Sequence, residues 1–136
     1  MKKDDCIFCK LANGIIPTNS IYEDENFNVI LDMSSATKGH ALILPKDHYK
    51  NLYELPEDTA GEVMKLAKKM AVKMTERLGA DGFNLVQNNN EIAGQTVFHF
   101  HMHLIPRYEN DGQKIAWTPG SPTAEELAEI KEVLTR

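Results

Sequence analysis

Between Phe98 and Leu104, apolar and imidazole side chains alternate without a break: Phe98-His99-Phe100-His101-Met102-His103-Leu104. A β-strand sends residues i, i+2 and i+4 to one face. The alternation therefore predicts a strand with three imidazoles on one wall. Phe98, Phe100, Met102 and Leu104 would be buried on the other, and Pro106 would end it. A helix would scatter the histidines round its circumference. Shorter apolar runs at Phe27–Leu31, Ala41–Leu44 (closed by Pro45) and Phe83–Gln87 predict three more strands. Ser20–Glu23 predicts a short extended piece before the turn residues Asp24-Glu25-Asn26.

The longest helical pattern runs from Glu57 to Leu78. Val63, Leu66, Ala67, Met70, Met74 and Leu78 recur at spacings of three and four, while Lys65, Lys68, Lys69 and Lys73 lie mostly elsewhere. Pro56 suits the first helical position and Gly79 the C′ position. The pattern is that of a helix covering a core, with a solvated basic face. A short helix is expected over Cys6–Asn13, ahead of Gly14. Thr123-Ala124-Glu125-Glu126 reads as a capping box opening a last amphipathic helix that runs to Leu134. Asn88 to Gly94 reads as a polar loop, and Trp117-Thr118-Pro119-Gly120 as rigid and extended. Strands cluster on both sides of one long helix without βα alternation. The expected fold is α+β: an antiparallel sheet of about five strands, one long helix packed on it, and a C-terminal helix. No repeat or long linker divides residues 1–136, which read as one domain.

Composition narrows the function. A net charge of −5 argues against a non-specific nucleic-acid binder, whose affinity comes from a basic face. It leaves room for a small nucleotide held by a local donor cluster. No run reaches the length of a membrane span, and Met1-Lys2-Lys3-Asp4-Asp5 leads into no apolar leader, so a cytoplasmic protein is expected. The two cysteines, Cys6 and Cys9, form Cys-x-x-Cys. In a reducing compartment that is a redox pair or half of a zinc site rather than a structural disulfide.

Five histidines are present: His40, His48, His99, His101 and His103. If the strand that His40 begins neighbours the histidine strand, all five can converge. Cys6 and Cys9 with His48 and one histidine of the row would make a tetrahedral Cys₂His₂ set. Zinc on all three row histidines fits poorly. On a straight strand His99 and His103 stand roughly 13 Å apart, whereas nitrogens around one zinc lie within roughly 4 Å. The alternative chemistry is nucleophilic. A neutral imidazole held in one tautomer can attack phosphorus and form a covalent intermediate, with donors meeting the charge that develops. Gln95, Thr96 and Asn88 lie close by in sequence, and Gly94 permits close backbone approach to a ligand.

Gly94-Gln95-Thr96-Val97 followed by His99-Phe100-His101-Met102-His103-Leu104-Ile105 resembles the signature of the histidine triad (HIT) superfamily, His-φ-His-φ-His-φ-φ with φ apolar. The resemblance extends to Cys6-Ile7-Phe8-Cys9-Lys10, Ile16-Pro17, Tyr22-Glu23-Asp24, Asp32, and Lys38-Gly39-His40 through Pro45-Lys46 and His48. It is closest to the Hint branch of nucleoside phosphoramidases. It implies that His101 attacks the α-phosphorus of a purine nucleotide and carries a nucleotidyl intermediate. By the same resemblance His103 contacts the phosphate, His40 and His99 support the row, and Gln95 and Thr96 bind phosphate oxygens or assist the leaving group. Asp32 would hold the ribose hydroxyls, Asn88 would be an active-site amide, and Phe8, Leu11, Ile16 and Ile30 would wall the base pocket.

The cysteines resemble those of bacterial members and of galactose-1-phosphate uridylyltransferases. That likeness implies a structural zinc on Cys6, Cys9, His48 and His99. The family also implies a two-fold homodimer with sheets joined across subunits and Trp117 near the partner's site. Three other readings stand beside the phosphoramidase: a dinucleoside polyphosphate hydrolase, a nucleotide-binding regulatory module with incidental hydrolysis, and a zinc hydrolase.

Overall fold

The computed structural model describes residues 1–136. Its elements are α1 (Ile7–Ala12), β1 (Ser20–Glu23), β2 (Phe27–Leu31), β3 (Ala41–Pro45), α2 (Glu57–Leu78), β4 (Gly82–Val86), β5 (Met102–Arg107) and α3 (Ala124–Thr135). The five strands form one antiparallel sheet in the order β1-β2-β3-β5-β4. The α+β expectation is met, with α2 laid across the sheet.

Both faces of the central strands are covered. Phe27 and Val29 of β2, Ala41 and Ile43 of β3, and Leu104 of β5 pack under Val63, Leu66, Ala67, Met70 and Met74 of α2. The other face carries Ile30, Leu42 and Leu44, buried with Ala12 under Phe8 and Leu11 of α1. This two-sided burial explains why β2 and β3 read as nearly continuous apolar runs. Burying one Leu or Ile side chain contributes about 1.5–3 kcal/mol, so the central strands anchor the site rigidly. Asn13 ties the end of α1 to the end of β3, donating through Nδ2 to the carbonyls of Cys9 (2.8 Å) and Lys46 (2.9 Å).

The long helix keeps its expected bounds. Gly79 closes it in the left-handed conformation, at φ 67°, while Pro56 is the N-cap rather than the first helical residue. The capping box at α3 forms as expected, with Thr123 accepting from the Glu126 amide. No residue of α3 is buried. No helix is long and apolar enough to cross a membrane.

The histidine segment departs from the expected strand. β5 starts only at Met102, so His99, Phe100 and His101 precede it in irregular backbone. The reason is non-local bonding. The Phe100 amide donates to the Tyr49 carbonyl (2.6 Å), and the His99 ring bonds the Pro45 carbonyl (2.9 Å). These bonds draw the chain toward the loop after β3 instead of along its edge, and pairing with β3 stops at Ile43↔Met102. Phe98 is not buried but 46% exposed; Phe100 and Leu104 fill the core as expected, and half-buried Met102 packs against it. Pro106 does not end the strand; it lies within β5, opposite Phe83. The β3 ladder has already finished at Ala41↔Leu104, so the missing N–H of Pro106 interrupts no rung on that side.

Candidate active site

The row of histidines sits on the α1 face of the sheet. Leu42 lies on that face, and its cross-strand partner is His103, so His103 faces the same way. All five histidines come together as two groups. Ring centroids are 5.2 Å apart for His48–His99, 5.1 Å for His101–His103 and 5.2 Å for His40–His103. Phe8 of α1 stands edge-on between the groups, 4.9 Å from His101 and 6.1 Å from His99.

Backbone partners set the proton on each ring. The Nε2 of His99 lies 2.9 Å from the Pro45 carbonyl, which can only accept. The proton is therefore on Nε2, and Nδ1 keeps its lone pair. That Nδ1 points at Cys6 Sγ and Cys9 Sγ, 3.4 Å from each, and His48 Nδ1 lies 3.5 Å from Cys9 Sγ. The four donor atoms of Cys6, Cys9, His48 and His99 all fall within 4.8 Å of one another. Bond lengths of about 2.3 Å to sulfur and 2.0 Å to nitrogen place tetrahedral ligands roughly 3.3–3.8 Å apart. The observed S···N separations fit, the donor types fit, and the lone pair of His99 is available. These four residues can hold a metal ion.

Asp32, His40 and His103 also bring three potential donor atoms within 4.8 Å. Their hydrogen bonding argues against a second metal site. His40 Nδ1 accepts the Ala36 amide at 2.9 Å, which leaves the ring proton on Nε2, where a metal would need a lone pair. That Nε2–H instead faces His103 Nδ1 (3.0 Å) and Asp32 Oδ2 (3.5 Å). His101 Nδ1 lies 2.8 Å from the His99 carbonyl and so carries a proton, leaving the lone pair of His101 on Nε2.

Burial keeps these rings neutral. It pulls His99 down to about 4, helped by His48 and His101 and opposed by the Pro45 carbonyl. It pulls His103 to about 4 as well, helped by His101 and His40. His101 and His40 are lowered by the same desolvation, against the raising influence of Asp32. Burial also lowers His48 and raises the Cys9 thiol. At neutral pH the row therefore offers neutral imidazoles, the form required of a ligand or a nucleophile.

The remaining site candidates divide. Asp32 is next to the row, with Oδ1 accepting the Ser34 amide at 2.8 Å and Oδ2 beside His40. Phe8, Leu11 and Ile30 share one apolar cluster on the row's side of the sheet, while Ile16 is half-buried in the turn after α1. Thr96 is exposed and, with Cys6, His48 and Phe98, lines a hollow of about 370 Å³. Asn88 packs against Gly94, its Nδ2 3.4 Å from where a Cβ would stand. Gln95 is buried, and its amide is occupied by the Asn90 N–H (2.8 Å) and the Lys50 (2.7 Å) and Val97 (3.1 Å) carbonyls. In this arrangement it fixes the loop that leads into the row. Three site elements have no signature in the sequence: the Ala36 amide and the carbonyls of Pro45 and His99. They are backbone atoms, placed by the fold.

Residues 13–110 match the HIT domain family, and the chain belongs to that family. It is 34% identical to an adenosine 5′-monophosphoramidase of Schizosaccharomyces pombe over 131 residues, 96% of each chain. A Streptococcus mutans crystal structure superposes with a TM-score of 0.93 at 40% identity, covering 98% of this chain and 85% of that one. A zinc-bound histidine triad family protein of Mycobacterium smegmatis matches with a TM-score of 0.76 at 35% identity, covering 95% of this chain and 97% of that one.

Proposed function

We propose that the protein is a nucleotide hydrolase of the HIT family that cleaves nucleoside 5′-phosphoramidates, preferably of purines, through a nucleotidyl intermediate on His101. The observation that carries this reading is the His101 Nδ1–H bond to the His99 carbonyl, which leaves a buried neutral ring with its lone pair on Nε2. His101 Nε2 attacks the α-phosphorus. The P–N bond to the leaving amine breaks with its electron pair, and the amine takes a proton from solvent. Water then attacks phosphorus, the electrons of the P–Nε2 bond return to His101, and the nucleoside monophosphate departs. His103 donates from Nε2–H to a phosphate oxygen, Asp32 accepts from the ribose hydroxyls, and Phe8, Leu11, Ile16 and Ile30 flank the base. Thr96 and Asn88 line the approach, and Gln95 acts through the loop it holds. The kinship to a named monophosphoramidase supports the P–N substrate class over a dinucleoside polyphosphate.

Single-turnover reaction with adenosine 5′-phosphoramidate, quenched in base and read by mass spectrometry, should give an adenylyl adduct on the peptide bearing His101. Guanosine 5′-phosphoramidate should give the guanylyl adduct. An adduct on another residue, or faster turnover of a dinucleoside polyphosphate, would overturn the assignment.

Zinc is the ion we assign to Cys6, Cys9, His48 and His99. Four protein ligands leave it no open position, so its contribution is to cross-link α1 to the His48 and His99 segments. The unprotected thiols suit a reducing, cytoplasmic compartment. A homodimer is supported by exposed apolar residues at the free edge and on helical faces: Leu85 on β4, Val72 on α2, and Ile130 and Leu134 on α3, besides Trp117 at 85% exposure. Self-complementary pairing would cover them. Sedimentation at working concentration should return twice the 15.3 kDa chain mass; a monomer would refute the dimer.

A further inference from the structure

We propose that His40, set by the Ala36 amide, is a positioning residue that keeps His103 as a neutral Nε2–H donor. An imidazole beside a carboxylate ordinarily puts its proton on the nitrogen that faces the acid, leaving the far nitrogen as a base. Asp32 and His103 bring a carboxylate oxygen and a ring nitrogen within 4.8 Å of each other, close enough to form such a pair on a small shift. His40 stands against both. Its Nδ1 is occupied by the Ala36 N–H, so its Nε2 must donate. His103 Nδ1, 3.0 Å away, must then accept. The proton of His103 is driven to Nε2, and the polarity that Asp32 alone would impose is reversed.

The loop that presents the Ala36 amide is held from several sides. Asp32 Oδ1 captures the Ser34 amide, Thr37 Oγ1 donates to the Pro106 carbonyl at 2.6 Å, Tyr108 Oη donates to the Lys38 carbonyl at 2.7 Å, and Gln113 Nε2 donates to the Ala36 carbonyl at 3.0 Å. Gly39 follows at φ 87°, a conformation that favours glycine, and any Cβ there would collide with Leu78. The Ala36 N–H is thus fixed before a ligand arrives, as a preorganised donor system requires. Neighbouring rings then present opposite atoms to phosphate: a lone pair on His101 and an N–H on His103.

The consequence for rate rests on the hydrolase reading above; the proton's location does not. Long-range ¹⁵N correlation of the ring nitrogens in the metal-loaded, ligand-free protein reads the tautomer directly. Wild type should show a pyrrole-type Nε2 and a pyridine-type Nδ1 for His103. His40→Leu should shift population toward Nδ1–H and lower kcat for adenosine 5′-phosphoramidate about 10²-fold, the scale of losing one preorganised donor, with KM little changed. His40→Gln, whose amide supplies an acceptor and a donor together, should restore both the ¹⁵N pattern and most of kcat. A wild-type His103 protonated on Nδ1 overturns the proposal without any variant. So does a His40→Leu pattern identical to wild type, or a His40→Gln variant no better than His40→Leu. If the phosphoramidate is not turned over at all, the hydrolase reading fails while the ¹⁵N pattern still decides the role of His40.

Discussion

His101→Ala is expected to lower kcat by roughly 10⁴-fold or more, the range seen when a covalent nucleophile is removed, while nucleotide affinity stays measurable. The size of the effect follows from the lack of a substitute. His99 has one nitrogen donating to Pro45 and the other aimed at two thiols. His103 turns a proton, not a lone pair, toward the site. His48 lies with the thiols, and His40 is buried behind His103 with both nitrogens engaged. No second neutral imidazole with a free lone pair can reach the same phosphorus. Asp32 and the apolar wall of Phe8, Leu11 and Ile30 are untouched by the substitution, so binding should persist. Steady-state kinetics alongside equilibrium nucleotide binding separates the two. A rate within tenfold of wild type would remove His101 as the nucleophile.

Much of this architecture is carried by local signals. The α2 helix follows from one apolar stripe with Pro56 before it and Gly79 after it, and α3 from a reciprocal cap, all within a few residues of chain. The row of histidines is harder, because its conformation is decided at a distance. Alternation alone makes Phe98–Leu104 a strand, yet the carbonyls of Tyr49 and Pro45 bend the first half away. A straight strand would hold His99 and His103 too far apart to share one ion. The separation holds without it: His99 joins the cysteines and His103 joins His40 and Asp32. Gln95 illustrates the opposite difficulty. A glutamine next to a catalytic row reads as a substrate ligand, but a buried amide needs partners, and Asn90 and Val97 of its own loop, with Lys50 of the segment after β3, supply them from the backbone. The amide and carbonyls that fix the ring tautomers are invisible in sequence because every residue has them.

Cys9→Ser should abolish stoichiometric metal binding and lower the melting temperature by about 10–15 °C, taking roughly 4 kcal/mol for the loss of a structural metal and a few degrees per kcal/mol at this chain length. The Cys9 thiol faces both histidines of the set. It is buried, lies 3.4 Å from His99 Nδ1 and 3.5 Å from His48 Nδ1, and accepts the Lys3 amide at 3.4 Å. Without metal its burial holds the thiol protonated, so the site cannot be held together by thiolate charge alone. A serine hydroxyl is a poor zinc ligand and stays protonated, which removes one of the two sulfurs that face His99 Nδ1. Because binding energy at such a site is folding energy, chelator should bring wild type down toward the variant's melting temperature and leave the variant unmoved. The two substitutions should also separate the functions of the row. Cys9→Ser loosens α1, and with it Phe8 against His101, whereas His101→Ala leaves metal content and melting temperature near wild type. Full metal content in Cys9→Ser, or a wild-type melting curve indifferent to chelator, would refute the zinc cross-link.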